Sequence, residues 1–281
     1  MVYKKAYAKI NLCIDVIGKR EDLMHEVDMI LTPLALHDEL WFEKITESDE
    51  IILVAPEFLG AIEDNLIYRA AKLVQTYFKV TLGAKIRLDK KIPMAAGLAG
   101  GSSDAAATLQ GLVELWGIEA TTNDLEKLAI QLGADVPYCL YHQTMRAQGI
   151  GEQLTLVPAM MSTKVVLFKV KYGISTKDAY ANLQKYQAFT KNHVEPVISA
   201  LQSEDYYQIC DIIFNSFEIS TFQQHLDLLK YKTEIKEIAD TVLLSGSGPT
   251  LFAFAHTDMQ VKQLVQYGEA QELLTITTQT I

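Results

Sequence analysis

The segment that most limits what this chain can fold into is Pro93-Met-Ala-Ala-Gly-Leu-Ala-Gly-Gly-Ser-Ser-Asp-Ala-Ala106. Several glycines just before a helix let backbone N–H groups approach an anion closely, and the helix N-terminus adds a favourable partial positive charge. The segment fits either a phosphate cradle or a close-packed loop beside a small-residue helix. It is not a Walker A loop, because Ser102 rather than lysine follows Gly101. Nor is it a Gly-x-Ser-x-Gly elbow, because Asp104 stands where the last glycine belongs.

Around this loop the pattern is mixed. Ala6, Ala8, Ile10, Leu12, Ile14 and Val16 alternate with Lys5, Tyr7, Lys9, Asn11, Cys13 and Asp15, which predicts a strand with one buried face and Lys9 and Asn11 side by side on the polar one. Further strands are expected at Glu39–Lys44, Ile51–Ala55 and Ala84–Asp89. A helix over Asn65–Phe78 is capped by Asp64 or Asn65, one over Asp104–Trp116 by Ser102 or Ser103, and one over Asn123–Leu132 stops at Gly133. The second half reads as a strand at Lys164–Lys171, helical stretches at Glu204–Glu218 and Phe222–Asp240, then strand (Thr241–Leu244), turn, strand (Thr250–Ala255), helix (Met259–Tyr267) and strand (Leu273–Thr278). Segregated strands and helices favour an α+β fold over a doubly wound sheet.

Composition narrows the function classes. A net charge of -10 opposes a nucleic-acid partner, which needs clustered cations. No apolar stretch approaches the ~18 residues of a membrane span, and charges near Met1 occupy the place of a signal peptide's apolar region. The cysteines, Cys13, Cys139 and Cys210, are odd in number and far apart, so no disulfide framework is expected and a reducing cytoplasm is the expected compartment. The histidines show no metal-ligand spacing, and neither metal hydrolysis nor acyl transfer has support. The turn Ser245-Gly-Ser-Gly-Pro-Thr250 lacks the third glycine of a dinucleotide fingerprint; it fits a hairpin connection or a contact to phosphate or to the first glycine loop. Taken singly, Lys9 fits a solvated lysine and Asp135 a turn residue after a helix.

Taken in order, Ala8-Lys-Ile-Asn-Leu12, the Pro93–Ala106 segment and Ser245–Thr250 resemble the three motifs of the GHMP small-molecule kinases. Gly18-Lys-Arg-Glu-Asp22, His25-Glu26, Asp64–Ala71, Leu132-Gly-Ala-Asp-Val-Pro137, Gly149-Ile-Gly-Glu152 and Gly173-Ile-Ser-Thr176 extend the likeness through nearly the whole chain. They are similar to the branch that acts on 4-diphosphocytidyl-2-C-methyl-D-erythritol in non-mevalonate isoprenoid biosynthesis.

The resemblance implies a two-domain α+β fold, with a ribosomal S5 domain 2-like N-terminal domain over 1–157, a ferredoxin-like C-terminal domain over 158–281, and a cleft between them. It implies transfer of the ATP γ-phosphate to the 2-hydroxyl of a cytidine-diphosphate sugar alcohol. By that likeness Asp135 is the base and Lys9 pairs with it and stabilises charge on the transferring group. Pro93, Met94, Ala95, Ala96, Gly97, Leu98, Ala99, Gly100, Gly101, Ser102 and Ser103 cradle the ATP phosphates, with Mg²⁺ offsetting their charge; no Mg²⁺ ligand is named. Asn11, His25, Thr176 and Tyr180 hold the acceptor, with His25 on the cytosine edge and Tyr180 as one wall of the cytosine slot.

The other wall departs from the family pattern. Relatives read Gly-Tyr-His-Glu where this chain has Leu23-Met24-His25-Glu26, so Met24 takes the place of the stacking tyrosine. A thioether contacts a ring with less area and less defined geometry. Lys171-Tyr172 and Asn215-Ser-Phe-Glu218 are further departures, also on the acceptor side. A kinase for another small alcohol, and a ligand-binding paralogue without turnover, are the competing expectations.

Overall fold

The computed structural model describes residues 1–56 and 61–281. In chain order the elements are β1 (Val2–Lys19), β2 (His25–Ile45), β3 (Ile51–Val54), α1 (Leu66–Phe78), β4 (Gly83–Asp89), α2 (Gly100–Trp116), α3 (Thr122–Leu132), β5 (Met145–Gly149), β6 (Gln153–Leu156), β7 (Lys164–Lys169), α4 (Thr176–Lys185), α5 (Val194–Ser203), α6 (Tyr206–Ile212), β8 (Phe214–Asn215), α7 (Phe217–Gln224), α8 (Leu226–Lys236), β9 (Thr241–Leu244), β10 (Leu251–Ala255), α9 (Asp258–Ala270) and β11 (Leu274–Gln279). They form two compact units: Met1–Ala8 with Leu36–Met94 and Ala99–His142, and Lys9–Ala35 with Ala95–Leu98 and Gln143–Ile281. The long strands β1 and β2 contribute residues to both.

In the first unit, β4 pairs antiparallel with the end of β2, from Glu39↔Asp89 to Ile45↔Gly83, and parallel with β3. Leu40, Phe42 and Ile86 of this sheet are fully buried, as are Ala70, Ala71 and Val74 of α1 and Ala105, Ala106, Leu109 and Leu112 of α2. The small-residue stripe of α2 serves close approach: a Cβ at Gly111 would stand 2.5 Å from the Phe42 ring. Truncating a buried phenylalanine such as Phe42 to alanine costs about 3–5 kcal/mol. Asn65 caps α1 by accepting from Ile67 N at 2.9 Å, and Thr121 with Asp124 forms a capping box on α3.

In the second unit, β8 pairs parallel with β1 at Cys13↔Phe214 and Ile14↔Asn215, and β5 pairs antiparallel with the start of β2 and with β6. A separate antiparallel sheet runs β11-β7-β10-β9. Its central strand β10 and the neighbouring edge strand β9 are buried on both faces, and Phe168, Phe252 and Phe254 fill its core. Helices α8 and α9 pack on it. The chain end is tied down too, as Thr163 N donates to Thr280 Oγ1 at 2.8 Å.

Three expectations change. Strand β1 is buried on both faces: Lys9 is 4 %, Asn11 1 % and Asp15 1 % exposed, because Met29, Phe214 and the segment around Thr190 cover the odd-numbered row. Helix α2 starts at Gly100, with left-handed Ala99 (φ 55°) as its N-cap and no side-chain cap, so the serines lie inside the first turn. The 204–240 region holds α6, β8, α7 and α8, with α5 before them. Asn215 breaks the helix by donating to Leu244 O and Gly246 O at 2.7 and 2.9 Å while its Oδ1 accepts from Phe217 N.

Candidate active site

The odd-numbered row of β1 carries Lys9, Asn11, Cys13 and Asp15 in succession. Lys9 Nζ donates to Asn11 Oδ1 at 2.8 Å, and Asn11 Nδ2 contacts Met29 Sδ at 3.4 Å. The Lys9 backbone N–H donates to Leu98 O at 3.2 Å, which joins the strand to the glycine loop. That loop in turn meets the second one: Ser245 Oγ donates to Gly97 O at 3.1 Å, and a Cβ at Gly97 (φ 72°) would run into the Ser245 carbonyl. A Cβ at Gly246 (φ 56°) would lie 3.1 Å from Gly97 O and 3.5 Å from Lys9 Nζ. Three segments separated by some ninety and two hundred and forty residues of sequence, those at Lys9, Gly97 and Gly246, thus meet one another, with Gly246 beside the Lys9 ammonium. A side chain at Gly97 would clash with the Ser245 carbonyl, and at Gly246 left-handed backbone and a tight approach to Gly97 O both disfavour one.

At the other end of the glycine loop, in the first unit, the start of α2 is braced by ion pairs. Lys90 Nζ donates to Asp38 Oδ2 at 2.5 Å and to Asp104 Oδ2 at 2.6 Å, and Asp38 Oδ1 accepts from the backbone N–H of Lys91 and Ile92. A Cβ at Gly100 would come within 3.0 Å of both Lys90 Nζ and the Ile92 side chain. Burial and the neighbouring Asp38 push the Asp104 carboxyl up to about 7, against the pull of Lys90. Burial works against the Lys90 charge, yet the two carboxylates more than offset it and hold its ammonium protonated. One cation between two buried carboxylates leaves Asp104 the group that keeps a proton.

Ser103 Oγ is buried in the first turn of α2 with no hydrogen-bond partner. A buried hydroxyl beside free helix-start N–H groups suits a phosphate oxygen. Pro93, Met94, Gly101 and Ser102 lead into or lie in this turn, Met94 and Gly101 exposed, while Ala95 and Ala96 precede Gly97 and Ala95 lies against Gly173. Among the described residues, no group of three or more His, Cys, Asp and Glu side chains is arranged to hold a metal ion.

Asp135 is half-buried on the turn that follows α3, where Val136 N donates to Gly133 O and Cys139 N to Asp135 O. Tyr138 behind it is buried, its hydroxyl has no partner, and burial pushes its pKa up, helped by Cys139 and Asp135.

The remaining expected residues sit in the second unit. The His25 and Tyr180 rings stack at 4.4 Å and 21°, and Phe217 meets Tyr180 edge-on at 5.0 Å. His25 Nε2 is buried without a partner, and burial, with Lys19 second, holds the ring's pKa below the ordinary histidine value. Met24 is 46 % exposed on the β1–β2 turn, its backbone N–H donating to Asp22 Oδ1. Thr176 Oγ1 lies 3.2 Å from Ser247 Oγ at the start of α4. The ring stacked on Tyr180 is therefore His25, its chain neighbour Met24 being exposed.

Residues 65–143 match the GHMP kinases N terminal domain. The chain is 43 % identical over 261 residues, 92 % of its length and 90 % of the relative's, to the 4-diphosphocytidyl-2-C-methyl-D-erythritol kinase of Bacillus mycoides (strain KBAB4). This chain belongs to the 4-diphosphocytidyl-2-C-methyl-D-erythritol kinase family. A crystal structure of a 4-(cytidine 5'-diphospho)-2C-methyl-D-erythritol kinase superposes with a TM-score of 0.84 at 30 % identity, covering 99 % of this chain and 98 % of that one. L. major mevalonate kinase in complex with R-mevalonate shares the fold, with a TM-score of 0.77 at 16 % identity over 100 % of this chain and 96 % of that one. The two-domain GHMP kinase architecture follows from these likenesses.

Within the kinase family's fold, sequence reasoning missed several residues. Lys90 and Asp38 carried no motif. Ser247 belonged to a quoted turn without a role of its own. Asp15 was visible as the continuation of the Lys9–Asn11 row, a signal that marks it as facing the same way.

Proposed function

We propose that this chain transfers the γ-phosphate of ATP to the 2-hydroxyl of 4-diphosphocytidyl-2-C-methyl-D-erythritol, with Asp135 accepting the hydroxyl proton and Lys9 stabilising charge on the transferring phosphoryl group. The chain is an ATP-dependent kinase of a small molecule, and phosphoryl transfer asks of a protein mainly positioning and charge stabilisation. The observation that carries the reading is the convergence of Lys9, Gly97 and Gly246: a buried ammonium set against two loops whose glycines leave no side chain over it. Asn11 fixes the Lys9 head and reaches toward the acceptor. Residues Pro93–Ser103 take the phosphates, with the orphaned Ser103 hydroxyl as one donor. Mg²⁺, arriving with ATP, neutralises charge on the phosphate oxygens.

On the acceptor side, His25 and Tyr180 recognise and stack on the cytosine, with Met24 at the rim and Thr176 beside them. Domains over 1–157 and 158–281 and a cytoplasmic location complete the proposal. No helix among the described residues is long and apolar enough to cross a membrane, and Cys13, Cys139 and Cys210 are buried and form no disulfide among the described residues.

The test is ADP release with Mg-ATP and a panel of alcohols that includes mevalonate and homoserine, with mass detection of products. A phosphomonoester formed from the cytidine substrate alone is expected. Phosphorylation of another alcohol in its place, or ATP binding with no product from any, overturns the assignment.

A further inference from the structure

The phosphate chemistry uses Lys9 and Asn11 but leaves the next charged member of the same row, Asp15, without a task. Asp15 is 1 % exposed. A buried carboxylate is costly, and a well-packed apolar residue would serve stability as well. Its oxygens are fully engaged: Thr190 Oγ1 donates to Oδ1 at 2.7 Å, His193 N donates to Oδ2 at 2.8 Å, and His193 Nδ1 lies 2.7 Å from Oδ1. All of these come from one stretch, the connector between α4 and α5.

That connector has no regular structure to hold it. It takes left-handed backbone at Gln187 (φ 51°) and Asn192 (φ 74°). What fixes it is β1: Thr190 N donates to Val16 O at 2.9 Å, the Thr190 hydroxyl also meets Ser216 Oγ, and the His193 ring stacks on Phe214 at 3.8 Å. Ser216 is itself locked to the strand through Ile14 O and Val16 N. Between the left-handed turn and this anchor lies Phe189, whose ring centroid is 6.3 Å from that of His25. Phe189 thus stands beside the His25–Tyr180 stack.

We infer that Asp15 is a positioning residue for the acceptor: its carboxylate ties Thr190 and His193 to β1 and so holds Phe189 as a wall of the cytosine site. The inference rests on the reading of His25 and Tyr180 as the cytosine site. It makes β1 a ruler, with Lys9 and Asn11 at the reacting end and Asp15 fixing the recognition end.

Steady-state kinetics and calorimetric titration of CDP test it on wild type, Thr190→Val, Thr190→Ser, Phe189→Leu and Asp15→Asn, each checked for its melting temperature. Thr190→Val is expected to raise KM for the cytidine substrate and Kd for CDP by about 10-fold, the worth of one hydrogen bond to a charged group. In the same variant kcat and KM for ATP stay within about twofold. Phe189→Leu does the same, and Thr190→Ser restores the wild-type values. Should Asp15→Asn not fold, the other variants carry the test. A wild type that binds CDP and turns over the substrate, with Thr190→Val and Phe189→Leu equal to it, overturns the clamp alone. Variants whose kcat and two KM values fall or rise together overturn it as well, because that marks a general structural role. A wild type that neither binds CDP nor uses the cytidine substrate overturns the acceptor reading beneath it.

Discussion

The proposed phosphate side and the proposed acceptor side are built by opposite means. Around Lys9 the geometry is set mainly by bonds to and between backbone groups: Lys9 N on Leu98 O, the Ser245 hydroxyl on Gly97 O, and two left-handed glycines where a Cβ would clash with (Gly97) or crowd (Gly246) the neighbouring backbone. Around His25 it is set by rings, with Tyr180 at 4.4 Å and Phe189 at 6.3 Å from it, Phe217 at 5.0 Å from Tyr180, and the adjoining Met24 exposed. Backbone-to-backbone contacts fix a small, invariant group such as a phosphate. Ring contacts have a broad optimum and accept exchange of one apolar side chain for another. On the proposed reading, methionine at position 24 therefore leaves the phosphate-side geometry undisturbed.

If this contrast holds, damage on the phosphate side should appear in stability and kcat, and damage on the acceptor side in one KM. The largest effect is expected from Lys90→Met, which leaves Asp38 and Asp104 buried without their cation and should cost about 3–5 kcal/mol in chemical denaturation. Lys9→Met should lower kcat by about 10²–10³, the cost of losing one aimed charge-stabilising donor, with KM for the acceptor little changed. Gly246→Ala should cost about 1–2 kcal/mol for the left-handed backbone alone and lower kcat through contact with Gly97 O.

Two smaller effects depend on protonation and on the rim. The Asp104 carboxyl is raised from its ordinary 3.8 to about 7 in the fold, so its contribution to stability is complete below about pH 4 and lost as pH rises through 7. Melting temperature should fall between about pH 4 and 7 and level off above, and Asp104→Asn should flatten that slope. His25 has a lowered pKa, so its ring stays neutral in the fold below the ordinary value of about 6.5. KM for the cytidine substrate should be flat above that pH and rise only below it. Met24→Tyr should lower the same KM severalfold, matching the about 0.5–1.5 kcal/mol of an added aromatic pair.

What could be read from sequence follows the same division. The glycine loops and β9–β11 were legible, because glycine, proline and alternation carry local conformational meaning; β9 matches its expected bounds and α1 takes the Asn65 cap. The polar row of β1 was legible in register but not in burial. Alternation says which way Lys9 and Asp15 face, and only the tertiary fold supplies Met29 and the Thr190–His193 segment that cover them. The start of α2 was misplaced because serines are good caps in general, whereas here left-handed Ala99 does that work through backbone alone. The breaks near Asn215 were hidden for the same reason, since its partners, Leu244 O and Gly246 O, lie some thirty residues on. Lys90 joins Asp38 and Asp104, two positions that no local pattern links to it.

The most direct test of the account is a single-turnover measurement of phosphoryl transfer by Asp135→Asn, with ATP and the cytidine substrate both saturating and their Kd values measured alongside. The account predicts a transfer rate lower by about 10²–10⁴, the worth of a general base, with both Kd values near those of the wild type. Transfer at the wild-type rate with both substrates bound would contradict it and remove Asp135 from the chemistry.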